Sequence, residues 1–295
     1  TNMGAMFASC NNLKSLDIDG FNTSNVTSMS TMFYSCSALE NLDVSNFGTS
    51  SVTSMAVMFS GCTSLTELDV SGFDTSKVTG MQSMFQNCSK VTSLDLSNFD
   101  TSSVTNISEM FLGCTSLTNL NISNFNTTKV TSMVRTFAKC TSLTALDLNS
   151  FDTSNVTSMS GMFRNCGNLI ELKISSFNTS NVTNMANMFD GCKKVTTLDV
   201  SGFDTSKVTD LSAMFANCNN LIELNVTNFN TSQAKRIQYM FSNCNQVKEL
   251  DVSKFDTTLA TDFSEMFNNC KNIEVLDLSD FNTSNVTNML TMFNG

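Results

Sequence analysis

The sequence contains no proline, no histidine and no tryptophan. Without histidine, the commonest general base and metal ligand is absent. Without proline, every turn must be closed by other residues. Charge is also scarce, at 14% of residues, so self-repulsion does not hold the chain open. Basic residues are few and scattered: 16 Lys and Arg stand against 26 Asp and Glu, a net charge of −10. That balance argues against nucleic acid, whose binding needs Lys and Arg at phosphates, and against an anionic membrane surface. No stretch approaches the roughly 18 apolar residues of a membrane span, so no transmembrane segment is expected. No signal peptide is visible and the chain starts at Thr1, as expected of a mature or excised piece.

What is present is a repeat. Cys10, Cys36, Cys62, Cys88, Cys114, Cys140, Cys166, Cys192, Cys218, Cys244 and Cys270 follow one another at a constant spacing. A phenylalanine rank from Phe21 through Phe47 and Phe73 to Phe281 keeps the same step, and so does another from Phe7 through Phe33 to Phe293. Fixed-period self-similarity of this kind is the mark of a stacked repeat architecture. Residues 1–295 are therefore expected to form a single repeat domain of about eleven 26-residue units, with no capping repeat visible.

One unit, from Leu39, reads LENLDVSNFGTSSVTSMAVMFSGCTS. Leu42, Asp43 and Val44 alternate apolar, polar, apolar, the pattern of a half-buried strand. Leu39 and Phe47 join Leu42 and Val44 on the interior. A polar corner such as Asp74-Thr75-Ser76 follows, in which an Asp or Asn side chain bonds the backbone two residues on. Val52, Met55, Phe59 and Cys62 are then spaced 3, 4 and 3, which predicts one face of a short helix with Thr53 as its N-cap. The predicted fold class is an α/β solenoid with one short parallel strand and one short helix per repeat. In the adjacent Met-Phe pairs, such as Met84-Phe85, a helix would turn Phe to the core and Met to its flank.

The string L-x-x-L-D-V-S-x-F-D-T-S-x-V-T-x-M-x-x-M-F-x-x-C, as at Leu65 to Cys88 and Leu143 to Cys166, resembles the surface protein 26-residue repeat of the BspA-like leucine-rich repeat group. The resemblance covers essentially the whole chain. It implies a right-handed leucine-rich-repeat-type coil of the kind found in bacterial and protist surface proteins. It also implies an extracellular or cell-surface place, a role in adhesion, matrix binding or surface architecture, and no catalytic motif. The tenth and eleventh units depart from the pattern at Ala234, Lys235, Ala260 and Phe263.

Stacking turns each repeat position into a row of like residues. The cysteines read as buried thiols acting as small hydrophobes, with disulfides or a metal column as the other readings. The strand acids Asp17, Asp43, Asp69, Asp95, Asp147, Asp199, Asp251 and Asp277 point outward, interrupted by Asn121, Lys173 and Asn225. They form a solvated acidic face or a face for a cation or basic ligand. A uniform row offers no asymmetry to separate a catalytic acid from a base. The corner threonines, Thr23 to Thr283, read as turn chemistry, with O-glycosylation as a further use. Asn22, Asn126, Asn178, Asn230 and Asn282 are corner sequons and exposed candidates for N-glycosylation. Lys173, Arg135, Arg164, Arg236 and Tyr239 break the repeat and are the only pointers to a binding site, because repetition averages away the asymmetry that would mark one.

No nucleophile–base pair, phosphate loop or metal cluster rises above the repeat background, so no enzyme activity, cofactor or metal is expected. The expected function is a non-catalytic adhesin or interaction scaffold with a protein or glycan ligand. The alternative is a structural protein that binds copies of itself end to end in a filament or coat. That alternative is suggested by the apolar starts and stops at Met6-Phe7 and Met292-Phe293.

Overall fold

A computed structural model describes residues 1–295. The chain divides into two compact units, Thr1–Leu143 and Thr144–Gly295. The first contains β1 (Ser15–Leu16), β2 (Asn41–Leu42), β3 (Ser93–Asp95) and β4 (Asn119–Asn121). The second contains β5 (Ala145–Asp147), β6 (Glu171–Lys173), β7 (Thr197–Leu198) and β8 (Glu223–Leu224).

Every strand pairing is parallel and offset by one repeat: Leu16 lies beside Leu42, Leu94 beside Leu120, Leu146 beside Leu172 and Leu198 beside Leu224. One repeat is therefore one coil within each unit. The strands are short for a chemical reason. Two residues after the acid that follows the inward leucine, a backbone N–H is captured by that acid: Ser45 N donates to Asp43 Oδ1 at 2.8 Å and Ser71 N to Asp69 Oδ1 at 2.9 Å. A backbone donor spent on a local side chain cannot continue a ladder.

The expected helix is not formed, and the α/β assignment is corrected on that point. In Val26–Cys36 the N–H groups of Met32, Tyr34 and Cys36 turn back to the carbonyls of Met29, Thr31 and Phe33. Those of Met29, Thr31, Phe33 and Ser35 instead reach the carbonyls of Ser54, Ala56, Met58 and Ser60 in the next coil. An α-helix would spend every such donor within its own coil. The alternation requires left-handed backbone at two places per coil, here Thr31 at φ 59° and Ser35 at φ 56°. Thr53 is accordingly not an N-cap: its N–H and hydroxyl both donate to the carbonyl of Thr27 in the preceding coil, at 2.9 and 3.1 Å.

Inward positions at spacings of 3, 4 and 3 nevertheless hold. Val52, Met55, Phe59 and Cys62 are fully buried. The partition of the Met-Phe pairs differs, since Met58 and Phe59 are both completely inaccessible, as are Met84 and Phe85. Left-handed residues four apart, such as Val57 and Gly61, break the helical rotation of the side chains, so the intervening Met58 and Phe59 both turn inward. The phenylalanines stack along the axis of each unit. Phe33–Phe59 and Phe59–Phe85 have ring centroids 5.7 and 5.9 Å apart at 5° and 8°, and Phe189–Phe215 stand at 5.7 Å and 9°. Such separations lie within the range of favourable aromatic pairs. No helix is long and apolar enough to cross a membrane.

Candidate functional site

The rows named from the sequence separate into those that hold the coils and those that face outward. The cysteines are thiols. Cys62 Sγ donates to the carbonyl of Phe33 at 3.2 Å, and Cys114 to that of Phe85 at 3.1 Å. The same bond recurs at Cys192, Cys218 and Cys244. Each thiol is thus a small apolar filler with one weak donor, aimed at a carbonyl one coil away. Burial pushes the thiols of Cys62, Cys114 and Cys218 up to about 12. A thiol so shifted is not a nucleophile at neutral pH.

The corner threonines from Thr23 to Thr257 are buried as well, and only Thr283 in the last coil is exposed. Thr49 Oγ1 accepts from Asp74 N at 2.7 Å and donates to Asp74 O at 3.0 Å, so one hydroxyl satisfies both backbone groups of a residue in the next coil. Thr101 does the same with Asn126, and Thr153 with Asn178. Their burial corrects the O-glycosylation reading, because the hydroxyl faces the interior. Asn22, Asn126, Asn178, Asn230 and Asn282 are exposed. Each also closes its own corner: Asn178 Oδ1 accepts from Ser180 N and Oγ at 3.1 and 2.8 Å.

On the strand face, Asp43, Asp69, Asp95, Asp147, Asp199, Asp251 and Asp277 are all exposed. The Ser45 hydroxyl and then its N–H hold Asp43 below the usual carboxylate range, and Ser201 does the same for Asp199. For Asp95 and Asp277 the backbone N–H two residues on is the larger influence. The acids therefore serve the turn through one oxygen while their outer side stays in solvent.

The cations that broke the repeat are joined to acids at the same position one coil away. Arg135 pairs with Glu109 at 2.7 Å, Arg164 with Asp190 at 3.0 Å, and Arg236 with Asp210 at 2.7 Å. Lys173 lies 3.4 Å from Asp147 and 3.2 Å from Glu171, whose carboxylates hold its ammonium above the ordinary value, Glu171 first. These residues reinforce the stack. Tyr239 remains on the surface, 39% exposed, on a left-handed backbone with φ 63°.

Sequence reasoning missed the apolar positions on the strand face of the second unit. Ile170, Ile222 and Val275 are 57%, 47% and 80% exposed. Their counterparts in Thr1–Leu143 are Lys14, Glu40, Thr66, Thr92 and Thr118 at the isoleucine position, and Ser15, Asn41, Glu67, Ser93 and Asn119 at the valine position. Position-by-position comparison of the units carries that signal, whereas the consensus string averages it away. A shallow groove of about 570 Å³ runs beside Ile222, and another of about 530 Å³ beside Val275. Lys248, Glu249 and Asp251 line both. No group of three or more His, Cys, Asp or Glu side chains stands where it could hold a metal ion.

Parallel strands one repeat apart, inward leucines and an outward strand face define a leucine-rich-repeat-type scaffold. The coil geometry alone carries that assignment. Within it, a family pattern matches residues 1–95, 90–198, 144–250 and 192–295, and the chain belongs to the family described as "Mycoplasma protein of unknown function, DUF285". No curated protein matches the chain. Similar solved structures include a leucine-rich repeat protein of T. pallidum, at 20% identity over 62% of this chain and 76% of that one, with a TM-score of 0.38. A leucine-rich cell surface protein of Faecalibacterium prausnitzii matches at 18% identity over 78% and 80%, with a TM-score of 0.30. The functional domain of InlJ from Listeria monocytogenes, described as including a cysteine ladder, matches at 20% identity over 95% and 63%, with a TM-score of 0.33.

Proposed function

We propose that this chain is a non-catalytic interaction scaffold at the cell surface that engages a protein or glycan ligand through its strand face. One observation carries the reading. The thiols, corner threonines and mid-coil cations are committed to bonds between coils, whereas the outer strand positions stay exposed and vary in chemistry from coil to coil. Exposed side chains on a rigid frame are where recognition resides. The extracellular place follows the 26-residue repeat resemblance. On that reading Asn22, Asn126, Asn178, Asn230 and Asn282 are N-glycan acceptors, and enzymatic deglycosylation of native material should lower its intact mass.

The test is a binding screen of the full chain against matrix proteins and cell-surface glycans, with an unrelated repeat protein as control. Binding that falls when Asp43, Asp69, Asp95, Asp147, Asp199, Asp251 and Asp277 are replaced by Asn supports the scaffold. Replacement by Asn keeps the turn acceptor and removes only charge. Absence of any ligand, or binding indifferent to the whole strand face, overturns it.

A further inference from the structure

The strand face of Thr144–Gly295 is not uniform, and the uneven part has a definite chemistry. Glu223 and Glu249 occupy the same position in successive coils, as do Asp251 and Asp277. All four are exposed. Like charges stacked in neighbouring coils repel. Elsewhere on the chain, Glu109, Asp147, Asp190 and Asp210 each meet a cation from an adjoining coil. Here no such ion pair forms, although Lys248 lies in the same groove. With Glu274, the two adjoining grooves carry five carboxylates against one ammonium. The same grooves are bordered by Ile222 and Val275, side chains that water would not select at these positions. An aliphatic anchor at each end of a strip with net acidic charge complements a cationic, aliphatic-bearing chain.

We propose that the grooves spanning Ile222 to Asp277 bind an extended segment of a partner protein in which Lys or Arg alternates with aliphatic residues. The aliphatic side chains cover Ile222 and Val275. The cations sit against Glu223, Glu249, Asp251, Glu274 and Asp277. This inference rests on the scaffold reading and adds the place of contact and the partner's chemistry.

A fluorescent peptide of alternating Lys and Leu is the probe, titrated against the full chain at low and at physiological salt. A Glu–Leu peptide of equal length is the control. The expected result is saturable binding of the Lys–Leu peptide alone, weakened as salt rises. The paired reversal Glu223→Lys/Glu249→Lys should weaken it by about tenfold or more. Ile222→Thr/Val275→Ser, which installs residues found at equivalent positions of the first unit, should weaken it several-fold with less effect on its salt dependence. Glu40→Lys/Glu67→Lys in the first unit should leave binding unchanged. Unchanged melting temperatures establish that each variant is folded. The proposal is overturned if the probe does not bind, or if the first-unit variant weakens binding as much as the second-unit one. If the probe fails while ligands from the matrix and glycan screen still bind, only this inference falls. If both fail, the scaffold reading falls with it.

Discussion

Raising the pH should unfold this protein well before its backbone is chemically at risk. Cys62, Cys114 and Cys218 move from 9.0 to about 12 because burial penalises the thiolate. A folded-state pKa above the unfolded value contributes stability that is complete below 9.0 and lost as pH climbs toward about 12. At about pH 10, an unfolded thiol is mostly ionised while the folded one is not. At about 1.4 kcal/mol per pKa unit, each thiol then costs about 1.4 kcal/mol of stability and the three together about 4 kcal/mol. That is a large fraction of the roughly 5–15 kcal/mol that holds a typical domain. Urea unfolding followed by circular dichroism at about pH 7, 9 and 10 should show the midpoint falling steeply only in the last interval. A chromogenic disulfide reagent should meanwhile react with the thiols no faster than the chain unfolds. Cys114→Ala should remove about a third of the three-thiol loss. A midpoint unchanged between neutral pH and about pH 10, or a slope indifferent to Cys114→Ala, would refute the argument.

Four further outcomes are expected. Acidification acts from the other side: Asp43, Asp69, Asp199 and Asp251 are held below the usual range, so their contribution is present above about pH 4 and fades as pH falls further, which an acid titration of the melting temperature will show. Thr49→Val strands the N–H and the carbonyl of Asp74 and should cost about 1–3 kcal/mol, whereas Thr49→Ser should cost much less in the same denaturation assay. Phe111→Ala breaks the stack with Phe85 and Phe137, at 5.9 and 5.6 Å, and should cost about 3–5 kcal/mol; a cost below about 1 kcal/mol would deny the core role of that column. Val57 is β-branched at φ 63°, and Val57→Asn should stabilise by about 1 kcal/mol, as Asn187 already occupies the equivalent position.

The coil was legible in the sequence because the inward positions recur every 26 residues with the same Cys, Phe and Leu, and the strand leucines fall where Leu42 predicted. The helix was misread because Val52, Met55, Phe59 and Cys62 satisfy helical spacing without helical backbone. A contrary signal was present in the residue before each cysteine. It is Gly or Asn at Gly61, Asn87, Gly113, Asn165, Gly191, Asn217, Asn243 and Asn269. These are the residues that tolerate left-handed backbone, which a helix interior does not contain. The acidic row was legible as exposed but not as turn-forming, since one oxygen of each carboxylate serves a donor two residues ahead. The Ile222–Asp277 grooves were hidden because their character lies in departures from the consensus rather than in the consensus.

Interchangeable coils raise a question of counting. Nearly every ladder bond would form equally well between a coil and the wrong neighbour, so hydrogen bonding and packing alone would tolerate a chain that skipped a turn and looped it out. The pairs Glu109–Arg135 and Asp190–Arg164 do not share that indifference, because each joins two residue types that the flanking coils lack at that place. They act as alignment marks: a slipped coil would set an arginine against a neutral or like-charged residue, and so the few irregular charges give a monotonous polymer its sense of position.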